Sequence, residues 1–383
     1  MTLSRAGSSA PRADMIIAVH DLRRNVVRAV ESILSDPDPS IRVFIVAHNI
    51  PRSDVAQALD DSIRAHPGRV RIEELGDGIP SPSGPFMFGM QQSDAHYVGI
   101  MGSDDELDSA AIAQWRERAE CFRADAVIAK VVRGTQRTLV RSPPKRLWRV
   151  GVLDFTKDRL SYRSAPLGLM RRAAVSELHL ELLPGARNGG DLPFVTRLWS
   201  RGRVVAATGT AAYIEHADAP VRVTHVAKPV AEELEPVRLL LADADTAAMP
   251  SANRHALATK LLRRNLTDSI RKRGGGLQLD ADDCAAMRLL LRAISDFAPN
   301  ARGMLSIAQA RMFDELESPS PDLQRVFDLD AASLRYRTLD ALRPARWRFV
   351  LHSQGQPRFM IATSLIKVGA SRFFPPNFLS QRG

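Results

Sequence analysis

The first 210 or so residues alternate between short apolar runs and segments whose apolar residues recur at helical spacing. The apolar runs are 15–19, 42–46, 70–75 and 97–101, and the helical segments between them are 23–34, 55–65 and 86–92. Runs this short suit buried strands, and strands separated by such helices form βαβ units. These units pair into a mostly parallel sheet with helices on its faces. The sequence therefore predicts an α/β fold built on a mostly parallel sheet.

The chain changes character after residue 230, where longer helical segments replace the alternation. These segments are 232–243, 255–273 and 285–294. In the second segment leucines line one face and basic residues crowd the rest, until Gly274-Gly275-Gly276 ends the helix,. From Ser333 the tail is rich in arginine and in aromatic residues, namely Tyr336, Trp347, Phe349, Phe373, Phe374 and Phe378. We expect a disordered leader over 1–13, an α/β domain over 14–228 and a mainly helical domain over 229–383.

Composition excludes several classes of protein. Two cysteines, Cys121 and Cys284, supply neither a disulfide framework nor a zinc site, which indicates a reducing compartment,. No apolar run approaches the roughly 18 residues that a membrane-spanning helix needs. Residues 1–14 also lack the apolar core of a secretion signal,. We expect a cytoplasmic protein, either soluble or peripheral at the inner face of the plasma membrane.

The net charge of +10 favours an anionic partner such as a nucleic acid or a membrane surface,. The basic residues are nonetheless spread among 43 acidic ones, aromatic residues make up only 6%, and no nucleic-acid-binding motif is present,. We therefore expect no nucleic-acid partner. A solvated basic face and a surface that binds an anionic membrane or polyanion both remain open.

Three adjacent acids follow the apolar run at 97–101, in the stretch Ser103-Asp104-Asp105-Glu106. In parallel sheets, ligands bind beyond the carboxyl ends of the strands, which is where these acids fall. Adjacent carboxylates repel one another, and a divalent cation such as Mg²⁺ or Mn²⁺ relieves that repulsion. The alternative is a helix start, with Asp108-Ser109 as the N-cap and the acids favouring the helix dipole. Residue spacing alone does not separate a metal site from a helix start.

The order of these segments resembles a family 2 glycosyltransferase with the GT-A nucleotide-sugar-binding fold, over about residues 14–226. The matching stretches are "RNVVRAVESIL", "VFIVAHN", "GIMGSDDEL", "NGGDLPFVTRLWSRG" and "AAYIEHADAPVRVT". They resemble, in order, the first helix of the family, its nucleotide-contacting loop, its Asp-x-Asp-type motif, the helix carrying its catalytic base, and its closing strand. The resemblance is to members that build bacterial cell-envelope polysaccharide or teichoic acid, and it implies a GT-A-like, Rossmann-like sheet.

The resemblance also implies roles for individual residues. Asp105 and His216 would hold Mn²⁺ or Mg²⁺, and Asp191 would be the general base. The implied contacts to the donor nucleotide are Ala18, His20, His48, Asp77, Ser103 and Asp104. Simpler interpretations stand beside these: His216 as a surface histidine, Asp77 as a turn residue beside glycines, and Asp191 as the N-cap before Leu192-Pro193,.

The implied activity is a metal-dependent, inverting transfer of a hexosyl or N-acetylhexosaminyl group from a nucleotide sugar, UDP-linked by expectation. The acceptor would be a hydroxyl of a polysaccharide, a polyol phosphate or a lipid-linked glycan. Basic residues on the acceptor side would be Lys157, Arg159, Arg163, Arg171 and Arg172. The C-terminal domain would offer a surface for membrane association or for a homo-oligomer.

Several positions depart from the family pattern. Ala18 stands for its usual proline, Ala47 for an acid, and Phe86-Met87 for an Arg-Asn pair. Gly102 and Gly190 each replace an acid. These departures keep a second interpretation open, a non-catalytic GT-A-like binding or scaffold protein. A nucleotidyltransferase is disfavoured because "HDLRRN", after the first strand, contains no glycine.

Overall fold

The computed structural model describes residues 12–216, 228–274 and 279–368. The strands are β1 Ala13–Val19, β2 Ile41–His48, β3 Val70–Leu75, β4 Tyr97–Met101, β5 Glu106–Leu107, β6 Ala126–Ile128, β7 Val131–Arg133, β8 Thr138–Leu139, β9 Gly168–Arg171, β10 Val204–Ala206 and β11 Tyr213–Glu215. The helices of the first half are α1 Val26–Leu34, α2 Arg52–Ala58, α3 Asp60–Ala65, α4 Ser83–Gln92, α5 Ala111–Phe122, α6 Arg172–Glu177 and α7 Leu192–Arg201.

In the second half, the named elements among the described residues are all helices or helical turns. Its helices are α8 Val230–Glu233, α9 Glu235–Ala242, α10 Ala244–Ala247, α11 Ser251–Lys260, α12 Thr267–Gly274, α13 Ala281–Phe297, α14 Ile307–Leu316, α15 Leu323–Ser333, α16 Leu339–Leu342 and α17 Gln356–Val368. A π-helical segment, Leu261–Leu266, joins α11 to α12. The 3₁₀ turns are Leu160–Tyr162, Ala301–Met304 and Trp347–Phe349.

The main sheet has seven strands in the order β10-β6-β9-β4-β1-β2-β3. Strand β1 is parallel to both β2 and β4, and β3 and β10 are also parallel to their neighbours. Among the described strands of this sheet, β9 alone runs antiparallel, between β4 and β6. The predicted α/β fold with a mostly parallel sheet and a helical C-terminal region is confirmed.

Successive side chains of β1 point to opposite faces of the sheet and enter two separate cores. Met15 and Ile17 join the cluster that includes α1, whereas Ile16 joins the cluster on the other face,. That second cluster also contains Leu192 from α7 and Leu257 from α11. One hydrophobic core therefore takes residues from both halves of the chain. The predicted division at residue 228 stays a prediction, and residues 217–227 beside it lie outside the described ranges.

A second sheet, of order β5-β11-β7-β8, lies beside the main one. Strand β11 pairs antiparallel with β5, which is the short strand directly after the acidic segment. The pairing places Tyr213 opposite Leu107 and Ile214 opposite Glu106. This small sheet brings residues some 110 positions later in the sequence against the end of β4.

Several element boundaries differ from those predicted. Helix α4 begins at Ser83 rather than residue 86, because Pro85 is tolerated in the first turn of a helix,. The predicted helix 55–65 is two helices that meet at Leu59. The predicted helix 255–273 is interrupted by the π segment. The leader and the aromatic residues Phe373, Phe374 and Phe378 lie outside the described residues, apart from Arg12 and Ala13.

Two of the predictions from composition concern the cysteines and membrane-spanning helices. Cys121 is exposed and Cys284 is buried, and neither is in a disulfide. No helix in the described part of the chain combines the length and the apolar character needed to cross a membrane.

Candidate functional site

The carboxyl ends of four neighbouring strands meet at one edge of the main sheet. Strands β4, β1, β2 and β3 are adjacent and parallel, so the residues that follow them lie side by side. This edge collects the sequence-predicted residues Ala18, His20, His48, Asp77, Ser103, Asp104 and Asp105. Burial lowers the pKa of His20, and the charge of Arg24 adds to that fall while the charge of Asp104 opposes it. The strand-end residues form a single candidate site.

Asp105 is held from two sides by residues of the small sheet. The hydroxyl of Tyr213 donates to Asp105 Oδ2 at 2.6 Å and accepts from the N–H of Gly102 at 3.0 Å. The backbone N–H of His216 donates to Asp105 Oδ1 at 3.0 Å. Tyr213 is only 1% exposed, so this anchor is protected from water. The carboxylate is therefore fixed in position before any ligand arrives.

The pKa of Asp105 is raised to about 6, chiefly because burial disfavours its charged form,. The hydrogen bonds from Tyr213 and from His216 N–H oppose that rise, while Asp104 and Glu215 add to it. Burial together with the Asp105 carboxylate raises the pKa of Tyr213 well above its ordinary value, so Tyr213 stays a hydrogen-bond donor. A crowded, partly desolvated carboxylate of this kind is stabilised by a cation.

Asp104 points toward the first helix. Its Oδ1 lies 3.3 Å from Nη1 of Arg24, and both side chains are largely buried. Arg28, one turn further along α1, donates from Nη2 to the backbone carbonyl of Asp104. Arg24, just before α1, and Arg28, within it, thus fix the acidic segment from the side opposite Tyr213.

The helix-start alternative for these acids is wrong. Helix α5 begins at Ala111 and its N-cap residue is Ala110, which has no side-chain cap bond. Asp108 instead pairs with Arg137 and accepts from the backbone N–H of Ala212 at 2.9 Å. Asp108 therefore ties the small sheet together rather than capping a helix.

His216 lies beside Asp105, and its ring Nε2 is 3.0 Å from Glu106 Oε2. Within the described ranges, no three or more His, Cys, Asp and Glu side chains form a group that could hold a metal ion. Mg²⁺ and Mn²⁺ nevertheless need only one or two protein carboxylates where substrate phosphates and water complete the shell. Asp105 fits this use, because its carboxylate has lone pairs beyond the two hydrogen bonds it accepts.

Two glycines that depart from the family pattern have structural reasons. A Cβ on Gly102 would lie 2.5 Å from Asp105 Oδ2. A Cβ on Gly190 would lie 2.6 Å from Ser83 Oγ and 3.1 Å from the Cβ of Ala186. Real Cβ atoms essentially never approach other atoms below 3.0 Å. Both glycines therefore permit close packing within the site.

The ends of β2 and β3 are joined by side-chain hydrogen bonds. His48 Nε2 lies 2.8 Å from Asp77 Oδ1, and the N–H of Gly78 donates to Asn49 Oδ1 at 2.8 Å. The N–H of Ile79, and to a lesser extent His48, hold the pKa of Asp77 below its ordinary value. Asp77 thus makes the turn that the simpler interpretation expected, and its carboxylate also faces His48.

The loop after β3 reaches the segment that leads into α7. Ser81 Oγ donates to the carbonyl of Ala186 at 2.7 Å, and Gly190 packs against Ser83. Asp191 follows directly and occupies the N-cap position of α7, with Pro193 in the first turn. Its side chain makes no capping hydrogen bond, so the carboxylate remains available for another role.

Asp191 is half-buried, and burial raises its pKa to about 6. The positive charge of Lys260, at the end of α11, acts in the opposite direction and lowers it. A carboxylate with a pKa near 6 can accept a proton at neutral pH more effectively than an ordinary aspartate.

The basic residues predicted for the acceptor side are not together. Arg171 pairs with Tyr97 at the start of β4, and Arg172 donates to the carbonyl of Ala95 at 2.8 Å. Both therefore lie at the edge opposite the acidic segment, because they belong to or follow the antiparallel strand β9. Arg159 and Arg163 are buried inside the protein, each only 4% exposed.

Lys157 lines a cavity of about 570 Å³ between the two halves of the chain. Trp148, Asn253 and Arg358 also line it. The Thr156 hydroxyl donates to Asn253 Oδ1 at 3.0 Å, and Gln354 donates to the Thr156 carbonyl at 2.6 Å. The cavity therefore lies where hydrogen bonds join the two halves of the chain, near the first turn of α11.

Sequence reasoning missed Tyr213, Arg24 and Lys260. Tyr213 lies three residues before His216 in a strand, and the strand alternation places it on the same face as Glu215,. Arg24 lies just before α1, but the sequence does not show which acid at the sheet edge its side chain contacts. Lys260 resembles its basic neighbours in sequence, and only the packing of α11 distinguishes it.

Comparisons with known proteins bear on the same residues. The family model described as Glycosyl transferase family 2 matches residues 14–178. The matched region is less than half of the chain. It contains every site residue predicted from the sequence except Asp191 and His216.

Solved structures of S. aureus TarS share the fold beyond the region that the family model matches. TarS 1-349 in complex with UDP-GlcNAc matches with a TM-score of 0.69 at 13% identity, covering 85% of this chain and 91% of that chain. The same fragment with UDP matches at 0.66 and 14% identity, with the same coverage of both chains. The crystal structure of TarS matches at 0.66 over 84% of this chain and 55% of that one, at 13% identity. The fold is GT-A-like, and no curated protein matches the chain.

Proposed function

We propose that the protein is a metal-dependent, inverting glycosyltransferase that moves a sugar from a nucleotide-sugar donor to a hydroxyl acceptor. The observation that carries this proposal is the fixed carboxylate of Asp105, held by Tyr213 and His216 at a strand end inside a family 2 glycosyltransferase domain. The TarS complexes with UDP-GlcNAc and with UDP support a UDP-linked donor.

The donor would lie along the edge formed by β1 to β4. Ser103 supports this placement, because its Oγ is buried and has no hydrogen-bond partner among the described residues. A buried hydroxyl without a partner is unfavourable, and a ligand oxygen would supply the missing bond. His20, His48 and Asp77, with Ala18, would line the part of the edge that faces the nucleoside.

Asp105, with His216 beside it, would hold Mn²⁺ or Mg²⁺. The Glu106 carboxylate at Nε2 of His216 suits this role, because metal-binding histidines commonly donate their other ring N–H to a carboxylate,. The bound ion would act as a Lewis acid on the departing diphosphate. Arg24 and Arg28 would keep Asp104 and its backbone in place beside it.

Asp191 would accept the proton of the incoming hydroxyl. Its carboxylate is not used for capping, and it follows a segment packed against the loop after β3, which lies at the donor edge. Attack assisted by a base on the face opposite the leaving group inverts the anomeric centre. The acceptor would be a polysaccharide, a polyol phosphate or a lipid-linked glycan.

The cavity beside α11 would take a remote part of the acceptor. Lys157 and Arg358 would attract anionic groups, and Trp148, which is 65% exposed, offers a ring for a sugar face. Leu339 and Leu351 are among the most exposed apolar residues of the C-terminal region. They favour the predicted contact with a membrane surface or with a second copy of the chain.

A donor panel tests the proposal. The protein with Mn²⁺ and UDP- or GDP-linked sugars should release the nucleoside diphosphate, and Asp105→Asn should abolish the release. Asp60→Asn is the matched control, because Asp60 is exposed on α3, pairs with Arg64 and is outside the site. A protein that binds UDP with no metal dependence and releases none from any donor would instead be the non-catalytic binding protein.

A further inference from the structure

Two cavities adjoin at the first turn of α11. The larger one is the cavity of about 570 Å³ that Lys157 lines, and the second has a volume of about 350 Å³. Ala252, the second residue of α11, lines both of them, so the cavities meet at this helix. We call the two cavities together the α11 groove. Each has the size of a small-molecule pocket, about 300–1,000 Å³.

Positive side chains outnumber negative ones along the α11 groove. The arginine and lysine residues that line it are Arg146, Lys157, Arg348 and Arg358. Asp154 is the one acid among the described lining residues, and its Oδ1 accepts from the backbone N–H groups of Thr156 and Lys157 at 3.0 and 2.7 Å. Arg146 is neutralised, because it pairs with buried Asp158 at 2.7 Å. The remaining three cations therefore face a single carboxylate.

These three cations have no carboxylate partner in the part of the chain that the structure describes. The ammonium group of Lys157 makes no hydrogen bond or salt bridge there. Arg358 donates to the carbonyl of Leu351 at 2.9 Å, and Arg348 donates to Asn300 Oδ1. Both acceptors are neutral, so they complete hydrogen bonds without balancing the charge.

Two buried arginines add positive charge behind the wall of the groove. Arg159 is 4% exposed and donates to the carbonyl of Arg358 at 3.2 Å. Arg263 is 5% exposed and donates to the carbonyl of Gln354 at 3.0 Å, next to Ser353 of the wall. Within the described ranges, neither guanidinium pairs with a carboxylate. Buried charges are normally paired, because burial removes their hydration. An anion in the groove would supply the missing opposite charge.

The helix end and the aromatic residues of the groove fit the same kind of ligand. Helix α11 begins at Ser251, and Pro250 before it makes no side-chain capping bond, so the positive end of the helix dipole lies beside Ala252,. Trp148 lines the larger cavity and Phe349 the second. Their rings offer apolar faces for the C–H groups of a sugar or polyol.

We propose that the α11 groove binds an anionic polymer of sugar or polyol units, as the part of the acceptor remote from the reacting hydroxyl. The inference rests on the proposed glycosyltransferase function and restricts its acceptor to charged chains. Phosphodiester and carboxylate groups would meet the same cations. Because the cations are divided between two cavities, a chain with several charges fits them better than a single ion.

The binding of three oligomers of equal length tests the class of ligand without requiring activity. The full chain would be mixed with a fluorescently labelled glycerol-phosphate oligomer, oligogalacturonate or neutral malto-oligosaccharide, and the anisotropy would be measured. At least one anionic oligomer should bind about tenfold more tightly than the neutral one, because hydrogen bonds to charged groups are the stronger ones. The preferred anion identifies phosphodiester or carboxylate as the natural group. Equal affinity for all three oligomers overturns the inference.

Substitutions at Lys157 and Arg358 locate the binding, because a protein of net charge +10 attracts anions elsewhere as well,. Both side chains are exposed, so Lys157→Gln and Arg358→Gln should fold normally,. Each should weaken binding of the preferred anionic oligomer by about five- to tenfold.

Lys272→Gln is the matched control for these two variants. It removes one positive charge from α12, where Lys272 pairs with Glu233 outside the groove, and should change the affinity by less than about twofold,. An equal loss in all three variants, or no loss in Lys157→Gln and Arg358→Gln, overturns the inference.

The native protein gives a readout that needs no substitution. If three cations meet three charges of the oligomer, the affinity should fall by roughly twentyfold between about 50 and about 200 mM NaCl. An affinity that does not change with salt contradicts the inference.

Kinetics separate this inference from the proposed function. In Lys157→Gln the KM for an anionic acceptor should rise about fivefold or more, while the KM for the donor stays native, because the ends of β1 to β4 are untouched. An active enzyme with an unmoved acceptor KM overturns the inference. If no donor is turned over, the proposed function fails, and the oligomer binding still decides what the groove holds.

Discussion

At the end of β4, a glycine, Gly102, determines where two carboxylates can lie. Gly102 leaves room for Asp105, whose Oδ2 occupies the space that a Cβ would need, and Asp104 Oδ1 would be only 3.2 Å from the same Cβ. The N–H of Gly102 also donates to Tyr213, the residue that anchors Asp105. The glycine that replaces a family acid is therefore part of the site.

Gly102→Ala should displace Asp105 and weaken metal-dependent UDP binding at least tenfold. The cause is steric, because the new Cβ would stand 2.5 Å from Asp105 Oδ2. Gly76→Ala is the matched control, since a Cβ at Gly76 meets nothing within 4 Å. Calorimetry with UDP and Mn²⁺ measures the effect. Equal affinity in the two variants would show that Asp105 does not need this space.

Among the elements, the π segment connects the two halves of the chain. Arg263 is buried, donates to Tyr162 of the first half and to two carbonyls of the second, and lies 4.3 Å from the Phe359 ring centroid. The segment thus fixes a joint of the fold.

Arg263→Met should lower the free energy of unfolding by about 2–4 kcal/mol, because it leaves several buried polar groups without a partner. The adjacent Arg264→Met should change it by less than about 0.5 kcal/mol, since Arg264 is 57% exposed,. Urea unfolding followed by circular dichroism gives both values. Similar losses in the two variants would contradict the structural role given to Arg263.

The sequence predicts an element well when the residues that stabilise it are close to it in the chain. The strands at 15–19, 42–46, 70–75 and 97–101 were predictable because the apolar runs that are buried and the turn residues that flank them are adjacent in the sequence,. The acidic strand end was predictable for the same reason. The break after Lys260 was not, because bonds from Arg263 to distant carbonyls stabilise it. Tyr213 reaches the site only through the fold.

Across the whole molecule, one face of the main sheet is covered by helices from both halves. Ile16 and Phe44 of the sheet share a core with Leu291 and Phe313 of the C-terminal helices. Removal of those helices would expose a continuous apolar face, and exposed apolar surface costs about 25 cal/mol per Å². The two halves of the chain therefore depend on each other for stability.

A fragment that ends at residue 228 should lack a cooperative unfolding transition, although it contains the whole region, 14–178, that the family model matches. The expected result is a broad thermal melt and strong binding of a hydrophobic dye, compared with the full chain at the same concentration. A sharp transition in the fragment would establish the predicted division at residue 228 as a boundary between independent domains.

The most direct test of the proposed mechanism is to measure how Asp191→Asn changes sugar transfer and donor binding in the same preparation. An amide cannot take the proton of the acceptor, so turnover should fall by about 10²–10⁴-fold. The affinity for the donor with Mn²⁺ should stay within about twofold, because Asp105 and the strand edge are untouched. Turnover at the native rate in Asp191→Asn would contradict the account of a base facing a metal-bound diphosphate.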